Sequence, residues 1–101
     1  MNLRVGGFDW DEGNRAKCQK HGVSISEIED LFAHSPRVAP DPKHSVDEDR
    51  LIAIGRTRTG RPLFVAFTIR TKNKRRLIRP VTARYMHAQE IAAYEKESAT
   101  P

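Results

Sequence analysis

Two short constellations in this chain set a proton-transfer group beside positive charge. Lys20-His21-Gly22 puts an imidazole next to an ammonium, while Arg84, His87, Glu90 and Tyr94 bring a guanidinium, an imidazole, a carboxylate and a phenol close in sequence. A histidine beside a cation can give or take a proton at a phosphate, because its ordinary pKa lies near neutrality and the neighbour holds the anion. Each set also has a purely structural reading. Lys20 and His21 suit the last turn of a helix, where positive ends meet unpaired carbonyls. Adjacent helical residues point about 100° apart, so the two converge on one ligand only if the helix has already ended. His87, Glu90 and Tyr94 share one helical stripe. There Glu90 can act as a base beside Arg84, or pair with Arg84 or His87 while Tyr94 packs on the fold.

Around these groups the charge is unevenly distributed. Residues 50–84 hold eleven Lys or Arg and no Asp or Glu, whereas residues 1–49 carry six basic and ten acidic side chains and residues 85–101 carry one and three. The formal net charge of +5 therefore conceals a strongly positive middle between acidic flanks. Such a block draws a polyanion to one region of a small protein. Nine of its eleven cations are arginine, whose planar fork matches phosphate. The dull alternative is a solvated face. The charge alone does not choose between RNA and DNA.

Other chemistries are excluded or unsupported. Cys18 is the only cysteine, so an internal disulfide and a multi-thiolate metal site are both excluded, as expected of a reducing compartment. His21, His34, His44 and His87 are scattered, and Asp47-Glu48-Asp49 lacks calcium-loop spacing, so no metal and no cofactor are expected. There is no Gly-rich phosphate loop and no nucleophile elbow. The longest apolar run, Leu63 to Phe67, is too short to span a membrane, and the first ten residues show no secretory pattern. The expectation is a soluble, cytoplasmic, single domain over 1–101, with loose ends at 1–7 and 98–101.

The elements that must position these residues follow from local patterns. Phe8-Asp9-Trp10 alternates like a short strand. Asp11 can cap a helix over Glu12 to His21, weakened at its start by Gly13 and Asn14 and ended by Gly22. Ser24-x-x-Glu27 is a capping box, Val23 and Ile28 form a hydrophobic staple, and Ile25, Ile28, Leu31 and Phe32 give one apolar face, so a second helix runs to Ala33 or His34. Residues 35–49 form a loop with a brief strand near Arg37 to Ala39. Strands over Arg50 to Gly55, Leu63 to Arg70 and Arg76 to Ala83 make an antiparallel meander with turns at 57–60 and 71–75. In the last strand, strict alternation puts Arg76, Ile78, Pro80 and Thr82 on one face and Leu77, Arg79, Val81 and Ala83 on the other. Pro80 marks an edge or a bulge. A final helix over Met86 to Glu97 packs through Ala88, Ile91 and Ala92. The fold class is α+β: a three- to four-stranded antiparallel sheet with two N-terminal helices and one C-terminal helix.

Four pieces in order, Phe8-Asp-Trp-Asp11, Lys20-His-Gly-Val-Ser24, Asp49-Arg50 with Gly55-Arg56, and Thr82-Ala-Arg84 with Glu90 and Tyr94, resemble the BrnT family of type II toxins. The resemblance covers roughly residues 8 to 95. It implies a fold similar to the RelE-like ribonucleases and an activity on RNA that halts translation. It also implies neutralisation by a BrnA-type antitoxin, a DNA-binding ribbon-helix-helix protein through which the pair reaches operator DNA. The positions that match the family pattern are Lys20, His21, Gly22, Arg50, Gly55, Arg56, Arg79, Arg84, Glu90 and Tyr94. Pro80 and Met86 depart from it, standing where an aliphatic residue and a small alanine are usual.

The expected reaction is metal-independent cleavage in which the ribose 2′-OH attacks the adjacent phosphate. It needs a base, an acid and cations on the phosphorane oxygens. Arg56 and Arg84 are expected to stabilise the phosphate. His21 is the first candidate for proton transfer, supported by Lys20, with Glu90 or Tyr94 as substitutes. Arg50, Arg58, Arg61, Lys72, Lys74, Arg75, Arg76 and Arg79 are expected to bind RNA. Two rivals stand beside this reading: a nucleic-acid-binding module without catalysis, and a basic sheet that holds an acidic partner.

Overall fold

The computed structural model describes residues 6–41 and 49–99. Three helices and four strands run in the order α1 (Glu12–Gln19), α2 (Ile25–Ala33), β1 (Arg37–Pro40), β2 (Leu51–Arg56), β3 (Pro62–Lys72), β4 (Arg75–Tyr85) and α3 (Ala88–Ala99). The strands form one antiparallel sheet in the order β1-β2-β3-β4. The α+β architecture expected from the sequence is the one observed.

Both N-terminal helices begin in reciprocal caps. The Asp11 carboxylate accepts from the Asn14 amide at 3.0 Å and the Asn14 side chain accepts from the Asp11 amide at 2.7 Å. Asn14 was expected to weaken this start, yet it completes the cap. Its buried side-chain amide also donates to the Asp9 carbonyl at 3.0 Å and the Pro80 carbonyl at 2.9 Å, fastening α1 to the edge of β4. The helix ends two residues sooner than expected, with Lys20 as its C-cap and Gly22 in the left-handed region at φ +87°. On α2 the expected capping box between Ser24 and Glu27 is present, and Val23 and Ile28 of the staple are both buried.

The main core lies between these helices and one sheet face. Cys18, Val23, Ile28 and Leu31 meet Ala53, Leu63, Val65, Phe67, Ile78 and Ala83. Phe8, Phe32 and Phe67 add two edge-to-face contacts, with centroids 5.8 and 4.9 Å apart. Burial pushes the Cys18 thiol up to about 11, so this cysteine is a packing group rather than a nucleophile. The approach of α2 to β2 is so close that a Cβ on Gly55 would lie 2.7 Å from Leu31 Cδ1.

Three expectations are corrected. Phe8-Asp9-Trp10 forms no strand of its own; a single parallel bridge joins Phe8 to Ile78, while Gly6, Gly7 and Asp9 exchange backbone bonds with the outer edge of β4. The strict alternation of β4 fails because its register slips. Phe67 lies opposite Pro80 but Ala66 lies opposite Thr82, leaving Val81 as the extra residue of a β-bulge. Ala83 therefore joins Ile78 and Pro80 on the helix-covered face, and Thr82 and Arg84 turn to the other. Pro80 sits both on an edge strand and beside that bulge, as its missing amide requires. Ile78 sends its N–H outward to Gly7, so the next outward donor position along β4 falls at Pro80, where no donor exists. Finally, α3 packs on the second face through Ile91 and the half-buried Tyr94, while Ala88 and Ala92 are exposed. Its contact is narrow, and Met86, just before the helix, fills the small cluster with Ile54 and Ile91.

Candidate active site

The meander sorts the basic residues into two groups. Arg56, Arg58, Arg61 and Arg84 gather at the end of the sheet where β2 and β4 finish and β3 begins, whereas Arg70, Lys72, Lys74, Arg75, Arg76 and Arg79 lie toward the opposite end. Arg37, Ile54, Phe64 and Arg84 are register partners in one row across all four strands, on the face that carries α3.

In that row the Arg84 guanidinium lies over the Phe64 ring, 4.6 Å from its centroid, and makes two hydrogen bonds of 3.2 and 3.1 Å to the two oxygens of Glu90. Glu90 also accepts from the His87 amide at 3.0 Å, which caps α3. Arg56 makes the same kind of two-point pair with Glu95, at 3.0 and 2.8 Å, and donates to the Gly60 carbonyl. Arg37 donates to the Tyr94 carbonyl at 2.6 Å, with its guanidinium 5.9 Å from the Tyr94 ring centroid. Arginines from β1, β2 and β4 thus fasten α3 across the sheet. A depression of about 420 Å³ opens between Arg37, Arg56, Tyr94 and Glu95. The hydrogen bonds from Arg84 and the His87 amide hold the Glu90 carboxyl below its usual range, and those from Arg56 do the same for Glu95. Both stay anionic at neutral pH, which suits them to occupying guanidinium forks better than to accepting protons.

Lys20 and His21 stand on the other side of the sheet. Tyr85, next to Arg84 in the chain but facing the helices, donates to Glu27 Oε1 at 2.6 Å and to the Gly22 carbonyl at 3.4 Å, while the Arg61 guanidinium stacks 3.4 Å from its ring centroid. Burial raises the Tyr85 phenol, and its bond to Glu27 raises it further. Burial alone would lift Glu27 as well, but the hydrogen bonds from Tyr85 and Ser24, with Arg61 nearby, leave it lowered. The exposed Lys20-His21 corner is therefore anchored to Tyr85 through Gly22. The structure brings Arg84, His87 and Glu90 together, and Arg56 with Tyr94 and Glu95, but sets Lys20 and His21 on the opposite face.

At the far end of the sheet, Asn73 and Lys74 take φ of +51° and +66°, the signature of the tight hairpin turn between β3 and β4. Lys72 pairs with Asp9 at 3.0 Å, Arg79 with Asp9 at 3.4 Å and Asp11 at 2.8 Å, and Arg75 donates to the Gly6 carbonyl. Arg58 pairs with Asp30 at 3.1 Å. The middle of the chain lacks acids of its own, but the fold imports them from both flanks. At least five of the eleven cations (Arg56, Arg58, Lys72, Arg79 and Arg84) are ion-paired. Sequence reasoning missed Arg37, Glu95, Glu27 and Tyr85, whose partners lie far away in the chain.

Residues 10–90 match the model of a protein family described as "Ribonuclease toxin, BrnT, of type II toxin-antitoxin system". The chain belongs to the BrnT toxin family. A search among curated proteins returned no match. The BrnT match takes in both N-terminal helices, the whole sheet and the Arg84–Glu90 pair, and it stops before Ile91, Tyr94 and Glu95. With family membership come the ribonuclease toxin class, an RNA substrate and an antitoxin partner. Among the described residues no helix is long and apolar enough to cross a membrane.

Proposed function

We propose that this BrnT chain cleaves RNA, without a metal ion, at the end of the sheet where Arg84 and Arg56 project beside α3. The ribose 2′-OH attacks the adjacent phosphate, its proton passing to a base. The 5′-oxygen leaves with a proton from an acid, giving a 2′,3′-cyclic phosphate and a 5′-OH end. The carrying observation is the Arg84 fork, which lies on Phe64 and grips both oxygens of Glu90 beside His87. A two-point bond to a planar carboxylate is the geometry in which arginine also takes a phosphate. In this reading a phosphate displaces Glu90 and Glu95, and Arg84 and Arg56 hold the phosphorane oxygens. His87, on the Arg84 side, becomes the leading imidazole for proton transfer. His21, supported by Lys20, is the second reading, favoured by its anchorage through Gly22 to Tyr85. Loss of intact RNA in the cytoplasm would block translation, and a BrnA-type antitoxin would neutralise the toxin and carry the pair to operator DNA.

The test is cleavage of a defined RNA by purified protein in the presence of a chelator, for the wild type and for Arg84→Ala, His87→Ala and His21→Ala. Cleavage by the wild type, with Arg84→Ala reduced about 10²–10³-fold and one histidine variant reduced about 10²–10⁴-fold, is the expected outcome. Cleavage that survives Arg84→Ala and both histidine variants keeps a ribonuclease but removes this site. Binding without cleavage by folded wild type returns the chain to a non-catalytic RNA-binding module.

A further inference from the structure

At the cleavage end, Arg56 and Arg84 hold carboxylates of α3, and Arg58 holds Asp30. Arg61 is held differently: its guanidinium stacks on an aromatic ring, 3.4 Å from the Tyr85 centroid. Stacking uses the π-face of a guanidinium and leaves its in-plane N–H donors for a second partner. Arg61 is exposed, and among the described residues no carboxylate lies within ion-pair distance of its fork. Glu27 is close enough to feel its charge, but Glu27 Oε1 already accepts from the Tyr85 hydroxyl at 2.6 Å and from the Ser24 amide and hydroxyl at 3.0 and 3.2 Å. The stack is fixed from both sides. The Tyr85 hydroxyl is tied to Glu27 and, at 3.4 Å, to the Gly22 carbonyl. The Arg61 backbone is clasped across the turn between β2 and β3, its amide donating to the Thr57 hydroxyl at 3.1 Å and its carbonyl accepting from the Thr57 amide at 2.9 Å. An arginine held at its backbone and at its π-face loses little further freedom when its fork closes on an anion.

We infer that Tyr85 is a positioning residue that presets Arg61 to hold a second phosphate of the RNA; the assignment of RNA rests on the ribonuclease reading above. Tyr85 is the register partner of Leu63 and Arg84 that of Phe64, so the two stacked arginines stand on opposite faces of one sheet end. Packed sheets lie about 10 Å apart, so groups standing off the two faces of one sheet are separated by roughly the same distance. At about 3.4 Å per nucleotide that is roughly three nucleotides. The RNA then turns round the end of the sheet, from Arg84 and Arg56 beside α3 to Arg61 on the helix-covered face. There it approaches the Lys20-His21 corner, which Gly22 ties to Tyr85.

The test measures binding of an octanucleotide of 2′-O-methyl RNA, which lacks the attacking hydroxyl, by fluorescence anisotropy over a salt series. Arg61→Gln should lower the slope of log affinity against log salt by about 0.7, the value of one phosphate contact on a single strand, and lower affinity roughly fivefold at about 0.1 M salt. Tyr85→Leu should reproduce most of that loss. The Arg61→Gln/Tyr85→Leu variant should be no weaker than Arg61→Gln alone, because both changes remove the same contact. Tyr85→Phe keeps a ring beneath the guanidinium and should bind within about twofold of the wild type. An unchanged slope in Arg61→Gln, full additivity in the double variant, or a Tyr85→Phe variant as weak as Tyr85→Leu would each overturn the inference. If Tyr85→Leu does not fold, Arg61→Gln and Tyr85→Phe decide it. Cutting of unmodified RNA by the wild type is read separately. Slope loss in Arg61→Gln without any cutting drops the ribonuclease reading and keeps the anchor, whereas cutting without slope loss drops the anchor alone.

Discussion

At Glu95 and Glu90 the protein's own carboxylates sit where the proposed reaction needs phosphate. The Arg56–Glu95 pair is about half exposed on both sides, and pairs of that kind hold weakly against solvent and salt. Glu95→Gln should therefore strengthen RNA binding, by at most about fivefold, with little change in cleavage of bound RNA; a titration of uncleavable RNA reads it directly. Arg84 and Glu90 are only six residues apart, so their pairing was open to a sequence reading that placed both near the start of a helix. Arg56 and Glu95 are 39 apart, and Arg79 and Asp11 are 68 apart. Residue types and local spacing name the chemical groups but are silent about partners brought together by the sheet. The same blindness made Lys20-His21 and Arg84 look like members of one site, when Tyr85 and Arg84 point to opposite faces.

The elements best read in advance were those whose signals are local and reciprocal. The Ser24–Glu27 capping box and the period-two run of β3 each specify their structure within a few residues. α1 ends two residues short of the span its pattern suggests, with Lys20 already its C-cap, and at its other end Asn14, a residue that disfavours helix interiors, conceals a capping role. Asn14→Ala removes half of the cap and the bond to the Pro80 carbonyl together, and should lower stability by about 2–3 kcal/mol in chemical denaturation. Gly55→Ala tests the other helix. Its new Cβ would press on Leu31 Cδ1, and Leu31 is itself 2% exposed, so that side chain must repack within the core, at a cost of about 1–3 kcal/mol. The packing of α3 was the least legible, since an alanine-rich helix offers no strong apolar stripe and three arginines do much of the fastening.

Across the whole molecule, the acidic flanks fold back onto the basic middle. Asp11, Glu27, Glu90 and Glu95 all have carboxyls held below their usual values, so they bind protons less readily in the folded chain than in the unfolded one. Their stabilising contribution is complete above the unfolded values, about 3.9 for Asp and 4.3 for Glu, and is lost as pH falls below them. Melting temperature should accordingly drop from about pH 4.5 downward, and the drop should be shallower in Glu95→Gln, whose amide does not titrate. The bulge at Val81 bears on how the gene tolerates changes of length. Because Phe67 opposite Pro80 and Ala66 opposite Thr82 are already consecutive partners across β3, deleting the single codon for Val81 would close the ladder without moving any later residue to the other face. Arg84 would still lie opposite Phe64. A deletion elsewhere in β4 that leaves the bulge in place would instead turn part of the strand over, sending Arg84 toward the apolar core or Ile78 toward solvent.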